Sequence, residues 1–117
     1  MSDNILQNKS FQFSIKIIEA YKILTDVKEE YILSEQLLKS GTGIGANVEY
    51  ALSGQNRTDF FASMALAFKE AKQTKYWLLL LQETNYLSEA DATDLISDCE
   101  EICRIIFSIQ KNANNNS

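Results

Sequence analysis

The sequence contains no proline and no histidine, and it has only four glycines in 117 residues. Tight turns depend on proline and glycine, so their scarcity predicts long helices joined by few loops. The lack of histidine excludes a Ser-His-Asp triad and removes the imidazole ligands of the usual zinc and di-iron sites. Two cysteines cannot make a disulfide framework. The apolar run at residues 77–81 is far shorter than the ~20 residues that span a bilayer.

Basic residues are fewer than acidic ones. Eleven Lys and Arg against sixteen Asp and Glu give a formal net charge of −5 at pH 7. An acidic chain repels phosphate backbones, so nucleic acid is a disfavoured partner. The N-terminal residues resemble no signal peptide, because they contain neither a basic region nor an apolar segment. We therefore expect a cytoplasmic protein that makes no membrane contact.

Apolar residues recur at helical spacing in four segments, and none of these shows the alternation of a strand. The segments cover about residues 11–27, 30–52 and 59–83, and a fourth begins after residue 87. Four amphipathic helices with short connections predict an all-α protein that folds as an antiparallel up-and-down four-helix bundle. We expect residues 11–110 to form this single domain, and residues 1–10 and 111–117 to be disordered. Ser10, Thr58 and Ser88 are the expected helix caps.

Three glycines lie within the run Ser-Gly-Thr-Gly-Ile-Gly-Ala-Asn at residues 40–47. A phosphate-binding loop would follow a strand, whereas this run lies inside a helical pattern. We interpret it as a small-residue patch that lets a neighbouring helix approach closely. Antiparallel pairing of the second and third helices places Glu70 opposite Thr42 and Thr74 opposite Leu38. The Glu70 carboxylate then has a structural role with hydrogen-bonding partners on the second helix; a catalytic acid is the alternative, but it has no second acid to work with.

Acidic residues form a stripe on the fourth helix, which also carries Cys99 and Cys103 one turn apart. The stripe predicts a solvated face or ion pairs with lysines of the third helix, and a hard cation such as calcium or magnesium is the alternative. The stripe consists of Asp91, Asp94, Asp98 and Glu101, and the lysines are Lys69, Lys72 and Lys75. We expect the two cysteines to be buried free thiols. No catalytic residue, metal site or cofactor is predicted.

The third helix carries more apolar side chains than one buried face requires. Four consecutive leucines follow Trp77, and because successive residues turn by about 100° they cover the whole circumference of the helix. Aromatic residues repeat this excess near its start. We expect a second buried face against another copy of the chain, and the candidate interface residues are Phe60, Phe61, Phe68 and Leu79.

Several motifs make the chain similar to the bacterial four-helix-bundle family that includes the 23S rRNA intervening-sequence proteins. They are the run at residues 40–48, the segment 59–71 that ends in Lys-Glu-Ala, and Thr-Lys-Tyr-Trp-Leu-Leu-Leu-Leu at residues 74–81. The family positions present here are Ser40, Gly41, Ile44, Gly45, Asn47, Glu70, Thr74 and Trp77. Two residues depart from the family pattern: Gly43 replaces the usual serine, and Tyr50 replaces a common acidic residue.

The resemblance implies a homopentamer of four-helix protomers and no established enzymatic activity. A related branch, the accessory proteins of diversity-generating retroelements, is basic and binds nucleic acid, whereas this chain is acidic. We therefore expect a non-enzymatic oligomeric interaction protein whose partner is itself. The alternative is a nucleic-acid-binding accessory protein associated with rRNA or a retroelement. An enzyme with an unrecognised carboxylate or metal site is the third hypothesis.

Overall fold

Four long helices make up nearly all of the protein. The computed structural model describes residues 2–54 and 56–115, and within these ranges there is no strand. The helices are α1 (Ser2–Asp26), α2 (Leu33–Leu52), α3 (Arg57–Glu83) and α4 (Glu89–Asn115). With 27 residues each, α3 and α4 are the longest. The predicted all-α fold class is confirmed.

The helices form a closed bundle in which each one packs on two others. Helix α1 contacts α2 and α4, and α3 contacts the same two helices. Helices α1 and α3 therefore occupy opposite corners of the bundle. The protein measures 48 × 21 × 19 Å, and a helix of 27 residues is ~40 Å long. Because the connections are short, consecutive helices run antiparallel along the long axis.

The helix boundaries differ from the predicted ones at both ends of the chain. Helix α1 begins at Ser2, and the buried side chains of Leu6 and Ser10 continue the core face of Phe13. Ser10 is thus not a cap, because its hydroxyl donates to the Gln7 carbonyl one turn earlier, at 3.2 Å. Helix α4 continues to Asn115. Of the termini expected to be disordered, residues 1, 116 and 117 lie outside the described residues.

Local hydrogen bonds explain where α3 and α4 begin and where α3 ends. The Asn56 side chain, not Thr58, caps α3 by accepting from the Asp59 N–H at 2.9 Å. The predicted Ser88 cap of α4 is confirmed, because its hydroxyl accepts from the Asp91 N–H at 3.1 Å. Helix α3 ends at Glu83, and Asn85, two residues further on, has a left-handed φ of 67°. The N–H groups of Asn85 and Tyr86 donate to the carbonyls of Gln82 and Leu81, the two bonds of a Schellman motif.

The core is a single cluster of apolar side chains from all four helices. Fully buried examples are Phe13 and Ile17 of α1, Ile44 of α2, Leu78 of α3 and Ile106 of α4. The predicted apolar face of α2 is observed, with Ser40, Gly41 and Gly45 buried between the larger side chains. Small residues at these places let α2 come close to its neighbours.

Candidate interaction surface

The family-motif residues lie mainly where α2 meets α3. The hydroxyls of Ser40 and Thr74, both buried, form a hydrogen bond at 2.9 Å between the two helices. Thr74 also lies 2.8 Å from the Glu70 carbonyl in its own helix. Thr74 was expected opposite Leu38, so the predicted register was wrong by two residues. The helical period alone does not determine which residues of α2 and α3 face each other.

The three motif glycines each face a different neighbouring group. A Cβ at Gly41 would lie 2.8 Å from Ile17, and one at Gly45 would lie 3.2 Å from the Ser14 hydroxyl, so both positions face α1. A Cβ at Gly43 would instead collide with the Glu70 carboxylate of α3. At these three positions a larger side chain would meet α1 or the Glu70 side chain. A phosphate loop is excluded, because the run is continuous helix inside α2.

The remaining motif residues also contribute to packing. Ile44 is fully buried, and the Asn47 amide donates to the Gly43 carbonyl of its own helix at 2.9 Å. Trp77 is half-buried, and its ring meets Tyr76 edge to face with the ring centroids 5.3 Å apart. The Glu70 carboxylate, predicted to need hydroxyl or amide partners, lies half-buried against Gly43 instead. The missing side chain at Gly43 provides the space that this carboxylate occupies.

The acidic stripe of α4 faces α1 and not α3, which corrects the predicted ion pairs. Lys16 of α1 bridges Asp94 and Asp98 at 2.7 and 2.5 Å, and Lys9 contacts Glu101 at 3.2 Å. The hydrogen bonds to Asp94 and Asp98 raise the pKa of Lys16 above its ordinary value. One lysine of α3 does pair with α4, because Lys75 lies 2.8 Å from Glu100. Glu100 is not part of the stripe, because it lies on the side of α4 that faces α3.

A cleft of about 270 Å³ opens along the α1–α4 seam. Lys16 of α1 and Asp94 of α4 line it, and Ile23, Tyr86 and Leu95 supply an apolar lining. In residues 2–54 and 56–115, no group of three or more His, Cys, Asp or Glu side chains could hold a metal ion. The acidic side chains at this seam act as ion-pair partners of α1.

Both cysteines are buried and free, as predicted. The Cys99 thiol donates to the Ala71 carbonyl of α3 at 3.1 Å. The hydrogen bond with Cys103 and burial both raise the pKa of the Cys99 thiol, so it stays protonated at neutral pH. Cys99 therefore serves as a packing residue at the α3–α4 contact.

The four candidate interface residues of α3 differ in how accessible they are. Phe60 and Phe68 are half-buried and pack against the core. Phe61 is also half-buried, and the Arg57 guanidinium lies 5.4 Å from its ring centroid. Leu79 is 41% exposed. Among the four, Leu79 is the side chain most available to a partner.

A second exposed apolar surface lies on α1 and was missed at the sequence level. Phe11 is 60% exposed, and Ile15 and Ile18 are also exposed. These residues lie outside the core face, because Ile15, for example, is two residues, or about 200°, beyond Phe13. The helical angle could have identified them, because an apolar residue opposite a filled core face must point outward.

Comparisons with known proteins agree with this architecture. In the described part of the chain, no helix is long and apolar enough to cross a membrane. No match was found among curated proteins. A crystal structure of a protein of unknown function from the S23 ribosomal protein family of Bacteroides thetaiotaomicron VPI-5482 is similar, with a TM-score of 0.94 and 40% sequence identity. The similarity covers 95% of this chain and 99% of that one.

A family model named 23S rRNA-intervening sequence protein matches residues 2–108. The match includes α1, with its early start, and the Ser40–Thr74 contact between α2 and α3. The chain belongs to the 23S rRNA-intervening sequence protein family.

Proposed function

We propose that this protein is a non-enzymatic homo-oligomeric interaction protein of the bacterial cytoplasm. The observation that carries the proposal is the apolar surface on the outside of α1 and α3. Within the described helices, ten large apolar side chains are exposed, and eight of them belong to these two helices. Exposed apolar surface of this extent usually marks an interface between proteins.

The energetic argument follows from the exposed area. Complete burial of a large apolar side chain stabilises a protein by about 1.5–3 kcal/mol. Eight such side chains are roughly half exposed in the isolated chain. Covering them with further copies of the chain recovers much of this energy.

The non-enzymatic part of the proposal rests on the roles of the polar side chains. Ser40 and Thr74 join α2 to α3, and Lys16 ties α1 to α4. Glu30 binds the N-terminus of α2, as its hydrogen bonds to Ser34 and Leu33 indicate. These groups have structural partners and are not arranged around a substrate. Free, buried cysteines are consistent with a reducing compartment such as the cytoplasm.

Light scattering coupled to size-exclusion chromatography tests the proposal. We expect a single species well above 13.3 kDa at micromolar concentration. The family resemblance suggests a pentamer, which would have about five times that mass. A monomer would refute the interface, whereas a dimer or tetramer would refute only the ring of five. Leu79→Glu is the better disrupting variant, because Phe68 packs on the core and its replacement would also unfold the protomer.

A further inference from the structure

Two apolar surfaces lie at opposite corners of the bundle. The α1 outer face consists of Phe11, Ile15 and Ile18, and the α3 outer face consists of Leu66, Tyr76 and Leu79. Helices α1 and α3 each contact α2 and α4, so their outer faces point away from each other. The other two helices are polar outside: in the described residues, α2 exposes one large apolar side chain, Tyr50, and α4 exposes one, Phe107.

This placement restricts how copies can associate. An isologous contact joins the same face of two copies, so a dimer through one face would leave the opposite face in water. A heterologous contact joins different faces, and one repeated contact then covers both. Two apolar faces on opposite corners of a bundle are the arrangement that a heterologous contact requires.

We propose that the α1 outer face of one copy packs against the α3 outer face of the next copy, head to tail. This rests on the homo-oligomer proposed above and names its interface. Within a bundle α1 and α3 run in the same direction, because each is antiparallel to α2. Copies related by rotation about an axis along the bundles therefore place α1 parallel to the neighbour's α3. Helices α2 and α4 are left to face the two open sides of the assembly.

The height of residues along the bundle supports a specific charge contact. Ile17 lies against Gly41, and Thr74 is bonded to Ser40, so residue 18 of α1 and residue 74 of α3 lie at about the same height. Glu19 and Lys72 consequently differ in height by three residues, or ~4.5 Å. This is less than one helical turn, within reach of two long side chains.

Both residues also lie on the side of their helices that faces α4. Glu19 lines the cleft between α1 and α4. Lys72 lies close enough to Glu100 of α4 to lower the pKa of that carboxyl, although the hydrogen bond from Lys75 is the larger cause. In a head-to-tail assembly of equally oriented copies, the α4 sides of adjacent copies coincide. Glu19 of one copy then approaches Lys72 of the next, with opposite charge.

A mixing experiment distinguishes this interface from the alternatives. Phe11→Glu disables the α1 outer face, and Tyr76→Glu disables the α3 outer face, where Tyr76 is 56% exposed. Each variant alone should run as a monomer of 13.3 kDa in light scattering. An equimolar mixture retains one intact α1 face and one intact α3 face, so it should form a 1:1 heterodimer and nothing larger. Tyr50→Glu on α2 and Phe107→Glu on α4 are matched controls that should keep the wild-type mass.

The outcomes separate this inference from the proposed function. A monomeric wild type overturns both. An assembled wild type whose single variants stay assembled, or whose mixture stays monomeric, overturns the α1–α3 interface alone. A variant that loses its helical circular dichroism is replaced by Ile18→Glu for α1 or Leu66→Glu for α3, which test the same faces.

Charge reversal provides an independent test of the orientation. Glu19→Lys or Lys72→Glu alone should raise the dissociation constant of the assembly by up to about fivefold, as expected for an exposed ion pair. The double variant restores the opposite charges and should recover the wild-type value. Additive weakening in the double variant would refute the parallel, equally oriented arrangement.

Discussion

Single polar residues hold the helix ends and contacts of this bundle in place. Within the described residues, every buried side-chain nitrogen or oxygen atom has a hydrogen-bond partner. Glu30 forms several such hydrogen bonds at the start of α2. Its carboxylate accepts from the backbone N–H groups of Leu33 at 3.0 Å and Ser34 at 2.6 Å, while the Ser34 hydroxyl donates to the Glu30 carbonyl. The N-cap position of α2 is Ile32, which has no side-chain acceptor, so Glu30 supplies the missing one.

This environment changes the ionisation of Glu30. Burial alone would raise the pKa of its carboxyl, but the hydrogen bonds from Leu33, Ser34 and Ile32 outweigh it and hold the pKa below the ordinary value of 4.5. A lowered folded-state pKa means that the ionised carboxylate stabilises the fold above pH 4.5. That contribution is lost as the pH falls through the folded-state value.

Glu30→Gln should therefore lower the free energy of unfolding at pH 7 by about 1 kcal/mol, a typical cap contribution. The difference from wild type should shrink as the pH falls below about 4.5, where wild type loses the charge as well. Urea unfolding followed by circular dichroism at one protein concentration measures both. Glu83→Gln makes the same chemical change on an exposed residue and should cost less than about 0.5 kcal/mol at pH 7. A deficit for Glu30→Gln that persists undiminished at pH 3 would contradict the capping role.

Sequence patterns identified only some of these residue roles. Ser88 was predicted as a cap because Asp91 follows it three residues later, which resembles a capping box. For α3 the predicted cap, Thr58, was wrong and Asn56 is the cap. Both residue types cap helices, so the choice between them depends on the exact start of α3, which the turn determines. Glu30 could not be foreseen, because its reach to α2 depends on Glu29, whose φ of 56° is left-handed.

At the scale of the helix, α2 is shaped by what its glycines face. Gly41 lies against the branched γ-carbons of Ile17, a fully buried residue of α1. Gly43 lies against the end of the flexible, half-buried Glu70 side chain. Substitution of glycine by alanine should therefore change the stability of the protein in opposite directions at Gly41 and Gly43.

Gly43→Ala should be neutral or stabilise the protein by up to about 1 kcal/mol, because alanine is the better helix former and Glu70 can move aside. Gly41→Ala should destabilise by about 1–2 kcal/mol, since the added Cβ would lie 2.8 Å from the β-branched, fully buried Ile17 and α1 must shift. Thermal and urea unfolding of the two variants, at equal concentration, provide the comparison. Equal stability of the two would show that α1 and α2 are not in close contact at Gly41.

The helices themselves were largely predictable, and their ends and register were not. Periodic apolar residues predicted α3 to within two residues, 59–83 against Arg57–Glu83. Helix α1 begins nine residues before its predicted start, because Ile5 and Leu6 are the only apolar residues in the additional turns, and two adjacent residues show no helical period. The observed α2–α3 register differs from the predicted one because Thr74 forms a hydrogen bond with Ser40. Hydrophobic periodicity does not predict such a bond between polar side chains.

For the molecule as a whole, the distribution of charge, like the apolar surface, determines which partners it can bind. Lys9, Lys16 and Lys75 are held in ion pairs with α4, and Lys39 lies 3.7 Å from Glu35 within α2. These pairs were not predictable in detail, because which side of α4 faces α1 depends on the packing of all four helices. They place basic side chains beside carboxylates, so a phosphate group that approached these lysines would also be repelled by the neighbouring negative charge.

The net charge of −5 and these ion pairs together predict weak binding of nucleic acid. A dissociation constant weaker than about 10⁻⁶ M at physiological salt is expected for single-stranded and duplex RNA, because sixteen acidic side chains outnumber eleven basic ones and repel the phosphates. Fluorescence anisotropy with a labelled oligonucleotide of each kind measures it. Lys69→Glu serves as the diagnostic variant, since Lys69 is exposed on α3 and, among the described residues, is not in an ion pair. Sub-micromolar, salt-sensitive binding that Lys69→Glu abolishes would contradict the prediction and would locate an RNA-binding surface on α3, in competition with the copy proposed to cover it.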